Sequence, residues 1–289
     1  MDAQKIGKSI AFLRKRYGMT QSDLADRLSV TDKAVSRWER GLGVPDISLL
    51  VKLSIILDTD IESILEGNLT HLDLRWKGIL NMNYADGIHA DTSIFGKCSV
   101  YLQMSFLMLA GVKDIYIRGT KRDVEFAQES FGIGEKLGLT IEYQIIDNVS
   151  LDEALQSDFF RAVNQDNGIM LINGLDFLYG KDVTKYFRRI MYDGKSPVRL
   201  ADFQHKLTSI YFFPAREETV KEITNDDISK QIKYQILERG VITFSIKNDT
   251  DILNASTLFK IIEEYQEEKI ADLSGIAIRR GLIDGGEIL

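Results

Sequence analysis

Residues 20–46 constrain the fold of this chain most, because they read as two short amphipathic helices separated by a tight turn. Apolar side chains recur at helical spacing at Leu24 and Leu28 in the first helix, and at Val35 and Trp38 in the second. Each helix is too short to be stable alone. The pattern therefore predicts a small helical domain in which both helices pack on a shared core.

The second helix begins at an N-cap residue, Thr31, and presents polar and basic side chains outward. Such a helix fits the DNA major groove, where Lys and Arg donate to guanine and a carboxylate accepts from cytosine. Gln21 opens the first helix, where an amide and backbone N–H groups can hold a phosphate. A solvated helix face is the alternative interpretation. We predict DNA contacts from Gln21, Thr31, Asp32, Lys33, Ser36, Arg37 and Arg40.

This stretch resembles the helix-turn-helix of the phage-repressor (Cro/XRE) family. The resemblance rests on the Gln that opens one helix, on the Ser-x-Trp-Glu-x-Gly ending at residues 36–41, and on Pro45-Asp46 before the next helix. It covers about residues 5–66. It implies a DNA-binding regulator in which the outer positions of the second helix touch base edges and Arg40 contacts backbone phosphate.

The distribution of charge agrees with a DNA-binding head. The whole chain has a formal net charge of −7, but residues 1–40 contain nine basic and five acidic side chains. The single cysteine, Cys98, excludes an intrachain disulfide and fits a reducing compartment. No apolar run reaches the roughly 18 residues of a membrane span, and no signal peptide is evident at the N-terminus. We predict a cytoplasmic protein without a membrane partner.

Two domains are predicted. The first is an all-α, five-helix helix-turn-helix head over residues 1–67, and a polar linker follows over residues 68–75. In residues 76–289, buried strands alternate with helices, which predicts an α/β, doubly wound, Rossmann-like domain with a parallel sheet. The segments that predict this alternation are 76–80, 100–110, 111–118, 123–132, 140–146 and 168–173.

The second domain resembles the sugar-1-phosphate nucleotidyltransferases of the glucose-1-phosphate thymidylyltransferase type. Residues 77–80 match the opening strand of that family, residues 106–115 its helix–strand junction, and residues 276–284 its C-terminal tail. The resemblance spans residues 76–284 with gaps. It implies a nucleotidyltransferase-like fold with a cleft for a nucleotide or a sugar phosphate.

The catalytic groups of that family are missing here. Its glycine-rich, arginine-bearing loop aligns with residues 81–89, which have one glycine and no arginine. Its two metal-binding Asp positions align with Leu175 and Ser245, and its base-binding Gln aligns with Ile146. Nucleotidyl transfer needs such oxygen ligands and a basic clamp on the triphosphate. We predict no catalytic residue, no metal and no cofactor; an active sugar-1-phosphate nucleotidyltransferase with a DNA-binding head is the alternative.

The second domain has two open roles. It could sense a nucleotide, sugar phosphate or nucleotide sugar, or it could only dimerise. Because a single head binds DNA weakly, we predict a homodimer on a double-stranded operator, with the second domain as the favoured interface. The candidate ligand-binding side chains are Asn83, Asp86, His89 and Asp176.

Overall fold

The computed structural model describes residues 2–16, 19–57, 59, 61–66, 76–147, 149–157, 160, 168–180, 183–193, 196–215, 232–237, 240–266, 269–279 and 282–283. The chain divides into two compact units, Met1–Leu74 and Arg75–Leu289. The predicted linker over residues 68–75 lies outside the described residues. Among the described residues, no helix has the length and apolar character needed to cross a membrane.

The first unit is helical throughout its described part. Its helices are α1 (Ala3–Arg16), α2 (Gln21–Leu28), α3 (Asp32–Glu39), α4 (Ile47–Ile56) and α5 (Ile61–Glu66). They share one apolar core, to which each helix contributes at least one buried side chain: Ile6, Ile10, Leu13, Leu24, Ala25, Leu28, Val35, Trp38, Leu50, Leu53 and Ile64.

Side-chain caps fix where these helices begin. The Thr20 hydroxyl accepts a hydrogen bond from the Asp23 backbone N–H, and the Asp23 carboxylate accepts one in return from the Thr20 N–H. Thr31 caps α3 in the same way, and Asp46 accepts from Ser48 at the start of α4. Each cap satisfies an N–H group that the first helical turn leaves free. The capping role predicted for Thr31 is confirmed.

The second unit combines strands and helices. Its strands are β1 (Trp76–Asn81), β2 (Ser93–Ile94), β3 (Lys97–Cys98), β4 (Asp114–Gly119), β5 (Thr140–Ile145), β6 (Gly168–Asn173), β7 (Asp176–Tyr179), β8 (Val198–Ala201), β9 (Leu207–Phe213), β10 (Lys233–Ile236) and β11 (Ile242–Ser245). Its α-helices are α6 (Ser99–Ala110), α7 (Lys121–Phe131), α8 (Leu151–Gln156), α9 (Val183–Asp193), α10 (Asp249–Gln266) and α11 (Leu273–Arg279).

Seven of these strands form one sheet in the order β10-β8-β9-β6-β1-β4-β5. The strands β6, β1, β4 and β5 run parallel, as predicted, but β9 runs antiparallel to both β6 and β8. The prediction of a parallel sheet therefore holds for these four strands but not for the sheet as a whole, which is mixed. Only residues 202–206 join β8 to β9, and Asp202 N–H donates to the Lys206 carbonyl across this turn at 2.9 Å. So short a connection can only reverse the chain, whereas parallel neighbours need a long crossover.

The chain order places β1 at a topological switch point. From β1 the chain continues to β4 and β5 on one side, and it later returns to add β6 on the other side. One sheet face packs against the large core that includes α6 and α7. The other face forms a smaller core that contains Ile79, Leu171 and Tyr211 of the sheet and Leu155 of α8. In open α/β sheets the crevice at such a switch point is the usual ligand site.

Candidate functional site

Helix α3 presents a fixed outer face because its inner face is locked into the core. Val35 and Trp38 are buried, and the Thr31 cap sets the first turn. The predicted contact residues then fall on the outer side: Thr31, Asp32, Lys33, Arg37 and Arg40 are exposed, and Ser36 is half-buried. The structure therefore gathers the predicted α3 residues on one accessible surface.

The basic side chains of that surface form no ion pairs with acidic residues in the part of the chain that the structure describes. Among the described ion pairs, none includes Lys33, Arg37 or Arg40. The Arg37 guanidinium contacts only the Leu42 carbonyl, at 3.4 Å, and the Arg40 Nε donates to the Ser36 carbonyl at 3.2 Å. These weak contacts hold both side chains near the helix surface while leaving most of their donors available.

A buried ion pair sets the position of α2 and α3 relative to α1. Arg14 donates to Glu39 through Nε at 2.6 Å and through a terminal nitrogen at 3.0 Å, and its other terminal nitrogen donates to the Met19 carbonyl. The second carboxylate oxygen of Glu39 also accepts from the Gln21 amide at 2.7 Å. Gln21, the predicted phosphate contact, is thereby oriented at the start of α2.

The pKa of Glu39 reflects this network. Burial raises the pKa of Glu39, but the hydrogen bonds from Arg14 and Gln21 outweigh it, so the pKa is lowered overall. Sequence analysis assigned no role to Arg14 or Glu39. No local signal marks the pair, because Arg14 and Glu39 are 25 residues apart and meet only in the folded domain.

In the second unit, the two positions aligned with metal ligands do lie together. Ser245 pairs directly with Asp176 between β11 and β7, and the Ile246 N–H donates to the Leu175 carbonyl at 2.9 Å. Leu175 is buried, and the carboxylate of the neighbouring Asp176 accepts a hydrogen bond from the Ser209 N–H. Within the part of the chain that the structure describes, no group of three or more His, Cys, Asp or Glu side chains is placed to hold a metal.

The four predicted ligand-binding residues occupy different surroundings. A Cβ built on Gly174 would lie 3.2 Å from the Asn83 carbonyl, so Asn83 is close to the segment that leads to Asp176. Asp86 is exposed. His89 lies instead beside α7, with its Nδ1 3.6 Å from the Asp123 carboxylate. No hydrogen bond between described residues joins Asp86 or His89 to Asn83 or Asp176.

A second set of polar side chains, which sequence analysis missed, lies at the carboxyl ends of the parallel strands. Arg118 of β4 is in register with Gln144 of β5 and with Asn81 of β1, and Asn81 is in register with Asn173 of β6. Ser209 of β9 directly precedes Ile210, the partner of Ile172. Paired residues share a sheet face, so these five form a line across five strands. We call Gln144, Arg118, Asn81, Asn173 and Ser209 the polar row.

The middle of the polar row is buried and only partly hydrogen-bonded. The Asn81 amide nitrogen donates to the Val149 carbonyl and to the Asn173 side-chain oxygen, both at 2.6 Å. Because a backbone carbonyl can only accept, this orientation of the amide is fixed and leaves the Asn81 Oδ1 without a partner. Nε and Nη1 of Arg118 and the Ser209 hydroxyl also have no hydrogen-bond partner among the described residues.

The comparisons with known proteins agree with two dissimilar units. A helix-turn-helix family profile matches residues 10–64. Over 54 residues the chain is 37% identical to an uncharacterized HTH-type transcriptional regulator, YqaE, of Bacillus subtilis, covering 19% of this chain and 47% of that protein. Over 235 residues it is 23% identical to a glucose-1-phosphate thymidylyltransferase of Neisseria meningitidis, covering 65% of this chain and 81% of that enzyme.

Among solved structures, the fold is similar to that of a putative glucose-1-phosphate thymidylyltransferase from Bacillus anthracis crystallised with sucrose. The TM-score is 0.49 and the identity 14%, over 63% of this chain and 94% of that one. The chain thus joins an N-terminal helix-turn-helix domain of the Cro/XRE type to a region homologous to glucose-1-phosphate thymidylyltransferases.

Proposed function

We propose that this chain is a transcriptional regulator that reads a double-stranded DNA operator through α3. The observation that carries the proposal is the outer face of α3, where Lys33 and Arg37 are exposed and form no ion pair with a described residue, while Val35 and Trp38 are buried on the inner face. Cationic donors on a rigid helix suit the acceptor-rich edge of guanine in the major groove. The helix-turn-helix match and the YqaE relative support the same role.

The predicted contact residues divide into two roles. Lys33 and Arg37, near the middle of the outer face, read base edges, and Asp32 accepts from a cytosine amine. Gln21 at the start of α2 and Arg40 after the end of α3 bind backbone phosphates and set the register of the helix in the groove. Thr31 and Ser36 contribute short hydroxyl contacts between these two groups.

Selection of binding sites from a random DNA pool tests the proposal, followed by titration of the full chain on the selected site and on a scrambled duplex. We expect preferential binding to the selected site, and we expect the Lys33→Ala/Arg37→Ala double variant to lose that preference. Lys52→Ala removes an equivalent exposed charge from α4 and serves as the matched control. Failure to enrich any sequence, or equal losses for the double variant and the control, would contradict the proposal.

We propose that the protein binds its operator as a homodimer, because two heads on half-sites about 34 Å apart give the affinity that one head lacks. Besides the second unit, α4 offers a contact surface to a second head. Ile47, Val51 and Ile55 repeat every four residues and are 74%, 52% and 71% exposed. Sedimentation of the full chain and of a Val51→Lys variant tests both surfaces. A wild-type chain that sediments as a monomer at micromolar concentration would refute the dimer. If Val51→Lys still sediments as a dimer, the second unit remains the candidate interface.

We propose that the second unit binds a nucleotide, a sugar phosphate or a nucleotide sugar without catalysing transfer. The positions aligned with metal ligands hold a buried leucine, Leu175, and a neutral Ser245, and neither neutralises charge on a transferring phosphoryl group. We expect no pyrophosphate from nucleoside triphosphates with glucose 1-phosphate and magnesium. Release above a blank without protein, abolished by a chelator, would instead establish an active transferase.

A further inference from the structure

The polar row lies where open α/β sheets bind ligands. Its central members, Arg118, Asn81 and Asn173, end the parallel strands on both sides of the switch point at β1. Near the carboxyl ends of the parallel strands, Gln144 is exposed, and Asn173, Val149 and Ser209 are half-buried. A small molecule at the carboxyl ends of these strands would meet Gln144, Asn173 and Ser209 first, whereas Asn81 and Arg118 are buried.

The row holds most of the unsatisfied polar groups in the described residues. Five buried side-chain atoms of the described residues have no hydrogen-bond partner. Two belong to Arg118, and one each belongs to Trp76, Asn81 and Ser209. All except the Trp76 indole N–H belong to the row. Since folded proteins satisfy nearly all buried polar groups, such a concentration on one line calls for a bound partner.

The charge of Arg118 makes the requirement stronger. Only 3% of its surface is exposed, and no carboxylate forms an ion pair with it among the described residues. Burial lowers the pKa of Arg118, and the charge of Glu153 partly opposes that change. A buried cation that no carboxylate pairs directly is destabilising unless a counter-charge is supplied.

We propose that the polar row binds the oxyanion group, phosphate or carboxylate, of a small hydroxyl-bearing ligand. The Arg118 guanidinium supplies the positive charge, and its Nε and Nη1, which have no partner among the described residues, can each donate a charge-assisted hydrogen bond. The Asn81 Oδ1 accepts a hydrogen bond from a hydroxyl or amine of the ligand, and the Ser209 hydroxyl donates to or accepts from the same molecule. The proposal rests on the ligand-binding role proposed above, and it centres recognition on Arg118 instead of the predicted residues Asp86 and His89.

Thermal melting of the full chain tests the site with three probes: inorganic phosphate, glucose 1-phosphate and citrate, each at an ionic strength matched with sodium chloride. We expect at least one probe to raise Tm saturably, and we expect Arg118→Met to weaken that probe at least tenfold. Arg122→Met is the matched control, because Arg122 is exposed on α7 and paired with Asp91 at 3.1 Å. Tighter binding of the two phosphate probes than of citrate indicates a phosphate site, and the reverse order indicates a carboxylate site.

Two further variants protect the test against a folding defect in Arg118→Met. Arg118→Lys keeps the charge but loses the planar guanidinium, and Ser209→Ala removes one hydroxyl, so both should weaken binding less than Arg118→Met does. A wild-type chain that responds to none of the probes, or variants that respond as the wild type does, would overturn the proposal and leave the row filled by water. DNA titrations of the wild-type chain, run in parallel, separate failure of this proposal from failure of the regulator proposal. If the chain binds no operator, the regulator proposal fails, but the anion site is unaffected.

Discussion

The outer face of α3 and the polar row use the same chemistry in opposite surroundings. Arg37 and Arg118 both lack a described acidic partner, but Arg37 is exposed and Arg118 is 3% exposed. Water solvates Arg37 until a large polyanion replaces it, so its free charge costs little. Arg118 has lost most of that water, and in our proposal the oxyanion of a small ligand replaces it. The proposed macromolecular contact and the proposed small-molecule contact thus differ in exposure more than in residue type.

The two regions are also held in place differently. In the head, one buried ion pair, Arg14–Glu39, ties α1 to α3 and orients Gln21. In the second unit, the row is positioned by strand register and by the amide of Asn81, which bridges β1 to β6 and to the Val149 carbonyl. The head therefore depends on an interaction that acid can break, whereas the row depends on neutral amides.

The largest expected effect follows from breaking the ion pair of the head. Glu39→Ala leaves the Arg14 guanidinium buried without its counter-ion, and we expect the head to lose about 3 kcal/mol of unfolding free energy. Chemical denaturation followed by Trp38 fluorescence measures this loss. Asp26→Ala removes an exposed carboxylate from α2 and should change stability by less than about 0.5 kcal/mol. Equal effects of the two variants would contradict the structural role of the pair.

The same pair predicts how acid affects the head. Because the pKa of Glu39 is lower in the folded state, its contribution is present above its unfolded pKa of roughly 4.3 and is lost as the pH falls through the folded value. Stability of the wild-type head should therefore decline in that acidic range. In Glu39→Gln the decline should be shallower, and parallel curves for the two proteins would refute the linkage.

Operator binding should separate Arg37 from Arg40. Arg37→Ala should cost about 1–3 kcal/mol on the selected site and relax the preference at one base pair, because a base-edge contact carries sequence information. Arg40→Ala should weaken selected and scrambled duplexes equally and reduce the salt slope by about one, because it removes a phosphate contact. Titrations at several salt concentrations measure both effects. Equal loss on both duplexes for Arg37→Ala would remove its base-reading role.

Sequence alone predicted the head better than the second unit, for a physical reason. The cap at Thr31 and the apolar spacing of α2 and α3 are local signals, and the structure bears them out. The antiparallel β9 depends on a short turn whose geometry the alternating pattern does not encode. The polar row joins residues far apart in sequence, such as Arg118 and Asn173, and only strand register brings them together. The sequence signal for the polar row was Arg118, the single arginine near the end of the apolar strand 114–119.

Replacing the two arginines by leucine tests the contrast between them directly. In the absence of any oxyanion, Arg118→Leu removes a buried, unpaired charge, and we expect the second unit to gain about 1–2 kcal/mol of unfolding free energy. Arg37→Leu changes an exposed side chain and should alter the head by less than about 0.5 kcal/mol. Denaturation followed separately for each unit measures both values. Destabilisation by Arg118→Leu would mean that Arg118 is already satisfied within the fold.

The smallest expected effect concerns Thr31, which both caps α3 and belongs to its DNA-facing surface. Its hydroxyl accepts from the Ala34 N–H at 3.2 Å, so Thr31→Ala should cost about 1 kcal/mol of head stability. Thr31→Asn keeps an N-cap acceptor and should restore stability while changing the group offered to DNA. If operator affinity returns together with stability in Thr31→Asn, Thr31 acts only as a cap. If stability returns and operator affinity does not, the Thr31 hydroxyl itself contacts DNA, and the DNA-contacting surface of α3 includes its N-cap residue.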